Sequence, residues 1–161
     1  MTGNFENAVT IIFEREGGHL SADEAKKQGD PGGETKFGIS KRSYPELDIS
    51  ALTRKQAKDI YYNDYWKPTK CDFLDWPMCL FVFDSAVNQG TNAATRMMQK
   101  ALGAKDDGVI GPITIDLMAQ AGKWHAAKFM AIRARRYAET NNFDKFGEGW
   151  LIRLFMVAME G

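Results

Sequence analysis

The sequence has few of the residues that would build a disulfide framework or a metal centre, and it has no long apolar run. Its 161 residues include only two cysteines and two histidines. The spacing of Cys71 and Cys79 fits neither a disulfide framework nor a zinc motif. No stretch approaches the roughly 18 consecutive apolar residues that span a membrane. We therefore expect no metal, no cofactor and no stable membrane insertion, and we expect the cysteines to supply one or two half-buried thiols.

An excess of charge of one sign is also missing. The chain has 21 Lys and Arg residues against 21 Asp and Glu residues. A formal net charge of zero gives no overall attraction to nucleic acid, so we expect no nucleic-acid partner. The first residues lack the basic segment and apolar run of a secretory signal peptide. We expect synthesis in the cytoplasm, with exit only through another agent.

The apolar spacing predicts a mainly helical protein. Phe5, Val9, Ile12 and Phe13 recur on one face of a first helix. A capping-box pattern opens a later helix at Thr53. The segment 78–89 is apolar nearly all round, which is typical of a buried central helix. Further helices are predicted after a cap at Asn92, from Pro112, over about 123–140, and in the apolar segment 151–159.

One β-hairpin is expected in the first third of the chain. Asp30-Pro31-Gly32-Gly33 is a strong turn signal, and residues 35–39 read as a short strand. The prediction is a single mainly helical domain with two lobes. Residues 1–75 would form a lobe that includes the hairpin, and residues 76–161 would form a helical lobe.

Glu16 is the first candidate catalytic residue. It lies in the last turn of the predicted first helix, just before Gly17 and Gly18. A helix C-terminus carries partial negative charge, which disfavours an ionised carboxylate and raises its pKa. A carboxyl group with a raised pKa suits a general acid near neutral pH. An exposed glutamate at a frayed helix end is the more ordinary interpretation of the local sequence, and both stay open here.

Asp30 and Thr35 follow in the predicted turn and strand. Paired with Glu16 across a cleft, Asp30 would stay ionised while Glu16 protonates a leaving oxygen. The Thr35 hydroxyl would hold a water molecule. The ordinary alternatives are a turn aspartate that bonds its own backbone and a threonine that only forms a strand.

Aromatic side chains are concentrated between the predicted hairpin and the central helix. Trp66 lies within this group, beside tyrosines. Such side chains stack on the apolar faces of sugar rings, but they also dominate protein cores. Three arginines near the end of a later helix indicate a solvated face, because cations are favoured at a helix C-terminus; they are Arg133, Arg135 and Arg136. No motif supports a nucleophilic serine or cysteine.

Short motifs follow one another in order over nearly the whole chain. They are Glu16–Gly18, Asp30–Thr35, Gly38-Ile39, Tyr65–Pro68, Phe83–Gly90, Gln99–Gly103, Asp107–Pro112 and Phe146–Trp150. As an ordered set they resemble the glycoside hydrolase family 108 lysozymes of phages, prophages and bacteria. The sequence departs from the family pattern at His19, where a tyrosine is frequent, and at Lys36, where an asparagine is frequent.

The resemblance implies a lysozyme-like fold and an N-acetylmuramidase that hydrolyses peptidoglycan glycan strands. The bond cleaved would be the β-1,4 linkage between N-acetylmuramic acid and N-acetylglucosamine. The catalytic glutamate of the family maps onto Glu16, and the spacing of Asp30 and Thr35 is similar to that of phage-type lysozymes. Glu16 would protonate the glycosidic oxygen, and Asp30 would stabilise the transition state or orient water with Thr35.

The resemblance also assigns substrate-binding roles. Trp66 would stack on a sugar ring. Asn88 and Gln89, at the end of the central helix, would hydrogen-bond to N-acetyl groups. The segment 107–112 resembles a peptidoglycan-binding segment, which we expect within the second lobe.

Two other functions stay open at this stage. A lytic transglycosylase cleaves the same bond without water attack, and a wall-binding or secretion-associated protein could keep the fold without catalysis. We expect a monomer whose partner is peptidoglycan, acting at the cell wall after release for lysis or remodelling. For a phage endolysin, the lack of a visible signal peptide implies release through a holin or similar pore.

Overall fold

The computed structural model describes residues 3–16 and 33–161, which are mainly helical. Within these ranges the chain forms seven α-helices, one π-helical turn, one 3₁₀ turn and one two-stranded sheet. The predicted fold class is therefore confirmed. The elements are α1 (Gly3–Glu16), β1 (Thr35–Lys36), β2 (Ile39–Ser40), α2 (Arg54–Tyr61), the π-helix Tyr62–Trp66, the 3₁₀ turn Cys71–Phe73, α3 (Met78–Gln89), α4 (Thr91–Leu102), α5 (Pro112–Ala119), α6 (Lys123–Ala138) and α7 (Phe143–Met159).

The chain divides into two compact units. Residues 1–8 and 63–161 form one unit, and residues 9–62 form the other. The lobes expected at residues 1–75 and 76–161 stay a prediction. In the smaller unit, Phe13 packs against the rings of Phe37 and Tyr61, at centroid distances of 5.4 and 5.6 Å. The Tyr61 hydroxyl donates to the Phe37 carbonyl (2.9 Å), which fixes the hairpin to α2.

The hairpin lies within residues 35–40. Thr35 pairs with Ser40, and Lys36 pairs with Ile39, in antiparallel register. Phe37 and Gly38 form the turn with φ values of 53° and 77°. A two-residue hairpin turn with positive φ at both positions matches the twist of the strands, and glycine adopts such a φ at no steric cost. The prediction of a continuous strand over residues 35–39 is therefore wrong, because the chain reverses in its middle.

The capping box that begins α2 is confirmed. The Gln56 N–H donates to the Thr53 hydroxyl (3.3 Å), and the Thr53 N–H donates to the Gln56 side-chain oxygen (2.9 Å). These bonds satisfy two backbone donors that the first helical turn leaves without a partner. The π-helical turn that follows α2 was not predicted from the sequence.

Helix α3 is the centre of the larger unit. It packs against α4, α6 and α7. Residues 78–86 of this helix are all buried, which confirms the prediction of a buried central helix. Gly90 ends the helix with a φ of 88°, in a conformation that favours glycine.

Two helix boundaries differ from the expected ones. Helix α4 begins at Thr91, so Asn92 lies inside the helix rather than at its cap. Helix α7 begins at Phe143, eight residues before the predicted apolar segment, and runs through Gly147 and Gly149. Glycine lowers helix propensity, so the start of α7 is not visible in the local sequence.

Candidate active site

Glu16 is the last residue of α1. The helix forms because its apolar face is buried, with Phe5, Val9, Ile12 and Phe13 each at most 7% exposed. The apolar face of the first helix is therefore as predicted, whereas its predicted stop at Gly17 and Gly18 lies outside the described residues. Glu16 is the last residue of the described helix, and the C-terminal end of a helix carries partial negative charge. The site role of Glu16 stays a prediction.

Asp30 lies outside the described residues, as do Gly17, Gly18 and His19. Its proposed role therefore stays a prediction. Thr35 lies in β1, where its hydroxyl donates to the Gly33 carbonyl (3.2 Å). Because its proton is engaged, the Thr35 oxygen is left to accept a hydrogen bond from another donor, such as water.

Lys36 occupies the neighbouring strand position, where the family pattern often has asparagine. Its ammonium group donates to the Ser50 carbonyl (2.7 Å). The extra positive charge is therefore held against the loop that precedes α2.

Trp66 is a core residue, and the prediction that it stacks on a sugar ring is wrong. Its side chain is 0% exposed. The rings of Phe5 and Phe83 meet it edge-on, each with a centroid distance of 5.3 Å, and its indole N–H donates to Asp72 (2.8 Å). A buried indole with both its surface and its donor occupied presents no face to a substrate.

Asn88 and Gln89 are brought together at the C-terminal end of α3, where they line an open groove of about 230 Å³. The Tyr137 hydroxyl donates to Asn88 Oδ1 (2.6 Å). The Ser85 hydroxyl donates to Gln89 Oε1 (3.1 Å). The other lining residues, which sequence reasoning did not assign to a site, are Arg136, Tyr137, Thr140 and Trp150.

A buried ion cluster lies behind this groove. Asp84 accepts from Arg133 (2.6 Å) and from Arg153 (2.8 Å). Arg133 is completely buried, so its predicted place on a solvated face is wrong, whereas Arg135 and Arg136 are exposed. Arg133 Nη2 also donates to the Tyr137 hydroxyl (3.0 Å), which connects the cluster to the groove.

In the segment 107–112, residues 107–111 form a loop ordered by one buried amide, and Pro112 begins α5. Gln99 donates to Asp107 (3.1 Å) and to the Val109 carbonyl (3.0 Å), and it accepts from the Gly108 N–H (2.8 Å). The loop is part of the larger unit and packs through Gln99 against α4. Its predicted contact with peptidoglycan stays a prediction.

Neither a metal site nor a membrane span is found in the part of the chain that the structure describes. Residues 3–16 and 33–161 contain no group of three or more His, Cys, Asp or Glu side chains placed to hold a metal ion. His125 Nδ1 instead accepts from the Gly122 N–H (3.1 Å) at the start of α6. Among the described helices, none is both long enough and apolar enough to cross a membrane.

Comparison with known proteins identifies the family. The model of the glycosyl hydrolase 108 family matches residues 9–90, a range that holds all six candidate site residues. The solved structure of Brucella abortus SagA is similar at a TM-score of 0.82 and 28% identity, over 98% of this chain and 93% of that one. No curated protein matches the sequence. The chain belongs to glycosyl hydrolase family 108 and is a lysozyme-like glycoside hydrolase of the peptidoglycan-degrading class.

Proposed function

We propose that this protein is an N-acetylmuramidase that cleaves the β-1,4 bond between N-acetylmuramic acid and N-acetylglucosamine. The observation that carries the proposal is the position of Glu16, which ends a 14-residue helix inside the family match. Partial negative charge at a helix C-terminus favours the protonated form of a carboxyl group there. A protonated carboxyl group is what the departing glycosidic oxygen requires.

In the proposed reaction, Glu16 donates its proton to the glycosidic oxygen as the bond breaks. Positive charge then develops on the sugar ring, and an ionised Asp30 stabilises it or orients the attacking water. The Thr35 oxygen supports that role, because its own proton is directed to the Gly33 carbonyl (3.2 Å). Asn88 and Gln89 hold N-acetyl groups of the glycan.

The biological role that fits this chemistry is cell-wall lysis or remodelling. We propose peptidoglycan glycan strands as the partner of a monomeric enzyme that acts at the wall after release from the cytoplasm. A holin or similar pore would supply the release if the protein is a phage endolysin.

The test is a pair of variants on α1, Glu16→Gln and Glu14→Gln. Glu14 is exposed on the same helix, two residues before Glu16, and serves as the matched control. Loss of a general acid lowers the rate by about 10²–10⁴-fold. We expect Glu16→Gln to clear a cell-wall suspension more slowly than the wild type by that factor. Glu14→Gln should clear it at the wild-type rate. Clearing by Glu16→Gln at the wild-type rate would contradict the proposal.

A further inference from the structure

The groove at the end of α3 belongs entirely to the larger unit and combines an aromatic surface with polar side chains. Trp150 of α7 is half-buried and lies nearly parallel to the Tyr137 ring, at a centroid distance of 5.4 Å and an angle of 25°. Asn88 and Gln89 of α3 and Arg136 of α6 line the same groove. At about 230 Å³ the open groove is smaller than the pockets of roughly 300–1,000 Å³ that enclose drug-sized ligands, so it suits one sugar unit of a longer chain.

The hydrogen-bond directions fix which end of the Asn88 amide faces the groove. Arg133 has only donors, so its bond to the Tyr137 oxygen leaves the hydroxyl proton to be donated elsewhere. The acceptor is Asn88 Oδ1, and the 2.6 Å separation is typical of an O–H···O bond but too short for N–H···O. The Asn88 NH₂ group is therefore the end of the amide left for a ligand.

Gln89 is oriented in the same sense. Its Oε1 accepts from the Ser85 hydroxyl (3.1 Å), so its NH₂ group is also left as a donor. Among the described residues, neither of these two NH₂ groups has a hydrogen-bond acceptor.

Arg136 adds a charged donor at the same groove. Its guanidinium is exposed and has no ion-pair partner in the part of the chain that the structure describes. Glu139, which follows the last residue of this helix, is already paired with Arg135 (2.8 Å). The groove therefore presents two amide donors and one cation, and it favours a ligand rich in acceptors with a negative charge.

We infer that this groove is a substrate subsite that binds an N-acetylated sugar carrying a carboxylate substituent. Asn88 and Gln89 would donate to the acetamido carbonyl, Arg136 would bind the carboxylate, and Trp150 would contact the apolar side of the sugar. The carboxylate belongs to the lactyl group of a muramyl residue or to the peptide attached to it. This inference deepens the proposed function and rests on its substrate class.

Tyr137 acts as a positioning residue in this subsite. It does not need to touch the sugar, because its hydroxyl holds Asn88 in the donor-outward orientation. The buried cluster of Asp84 and Arg133 in turn holds that hydroxyl. The subsite is thus preorganised from the core of the larger unit outward.

The test measures binding by calorimetry in a Glu16→Gln background, so that cleavage does not consume the ligand. The probes are triacetylchitotriose, which is neutral, and a purified glucosaminyl-muramyl peptide, which carries carboxylates. Asn88→Asp keeps the acceptor for Tyr137 but replaces the donor by an anion. We expect it to weaken both ligands by about tenfold, because a neutral hydrogen bond is lost and the new carboxylate repels the acetamido carbonyl oxygen.

Arg136→Gln distinguishes the two ligands. We expect about tenfold weaker binding of the muramyl peptide and unchanged binding of triacetylchitotriose, because only the former has a charge to pair. If Arg136→Gln weakened the binding of both ligands equally, the proposed pairing of Arg136 with the ligand carboxylate would be wrong.

Trp150→Ala should weaken both ligands, with Trp124→Ala as its matched control. Trp124 is 73% exposed at the start of α6 and does not line the groove. Unchanged binding by Trp150→Ala would remove the aromatic contact from the subsite.

A double-mutant cycle tests the positioning role of Tyr137. Tyr137→Phe should weaken binding when Asn88 is present and have no effect on binding in the Asn88→Ala background. A structural role alone would give the same loss in both backgrounds.

The subsite is overturned if Asn88→Asp binds both ligands as tightly as its parent, or if the parent binds neither ligand at millimolar concentration. Failure of the proposed muramidase activity would give a different result. The wild-type protein would then release no muramyl ends from peptidoglycan, while the groove variants would still bind both ligands more weakly than their parent.

Discussion

Arg133 Nη2 lies 2.6 Å from Asp84 Oδ2, and both side chains are fully buried. Arg153 approaches the same carboxylate at 2.8 Å with its own side chain 20% exposed. Two Arg133 nitrogens, Nε and Nη1, have no hydrogen-bond partner in the described part of the chain. The Asp84 carboxylate is therefore the chief compensation for the buried positive charge.

Replacement of Asp84 by asparagine tests this dependence. Asp84→Asn leaves the Arg133 charge buried without a counterion, and breaking a buried pair in this way costs about 3–5 kcal/mol. We expect the free energy of unfolding in urea to fall by that amount. The matched control is Arg135→Gln, which removes an exposed pair with Glu139 (2.8 Å) and should cost about 0.5 kcal/mol or less. Equal losses in the two variants would contradict this account of the cluster.

The loop over residues 107–111 depends on Gly108. Its φ is +80°, and a Cβ atom there would lie 2.7 Å from the Asn92 side-chain nitrogen. We expect Gly108→Ala to lower the free energy of unfolding by about 1–2 kcal/mol from the left-handed backbone conformation alone. Gly111→Ala is the control, because a Cβ there meets nothing within 4 Å. A Gly108→Ala variant as stable as Gly111→Ala would show that the loop adapts freely.

Both cysteine side chains should be inert in the folded protein. Cys71 and Cys79 are free and buried. Burial raises the pKa of Cys79 to about 12 and also raises the pKa of Cys71. Since the thiolate is the reactive form, we expect no reaction with a thiol reagent at pH 8 until urea unfolds the chain, when both thiols react. Modification of the native protein within seconds would be inconsistent with their burial.

Asp107 gives the loop a pH dependence of defined sign. Hydrogen bonds from the Val109 N–H and the Gln99 side chain lower the pKa of Asp107 below its ordinary value. Because the folded pKa lies below the unfolded one, the ionised carboxylate stabilises the fold above about pH 4, and this contribution is lost as the pH falls through the folded pKa. We expect the difference in stability between wild type and Asp107→Asn to shrink from pH 6 to pH 3. A difference that stays constant over this range would rule out the coupling.

Local signals in the sequence predicted the capping box at Thr53 and the central helix. Thr53 and Gln56 are three residues apart and form the capping box by themselves. The short sequence pattern therefore includes every residue that the cap requires. Helix α3 was predicted for a similar reason, since a segment apolar on every side can only be buried. The start of α5 at Pro112 also follows from local backbone chemistry.

Long-range contacts decided the features that the sequence did not predict. Arg133 is buried because Asp84, on another helix, neutralises it, and no pattern near Arg133 shows that partner. Trp66 lies in the core because Phe5 and Phe83 close around it from distant parts of the chain. The groove residue Trp150 was present in a family motif, but only the fold places it beside Asn88.

The products released from peptidoglycan test the central claim most directly. Wild-type protein and Glu16→Gln would be incubated with the same peptidoglycan, and the soluble products read by mass spectrometry. The account predicts reducing N-acetylmuramic acid ends from the wild type and none from Glu16→Gln. Anhydro ends, lighter by one water, would instead show a transglycosylase and contradict the water-directing role of Asp30.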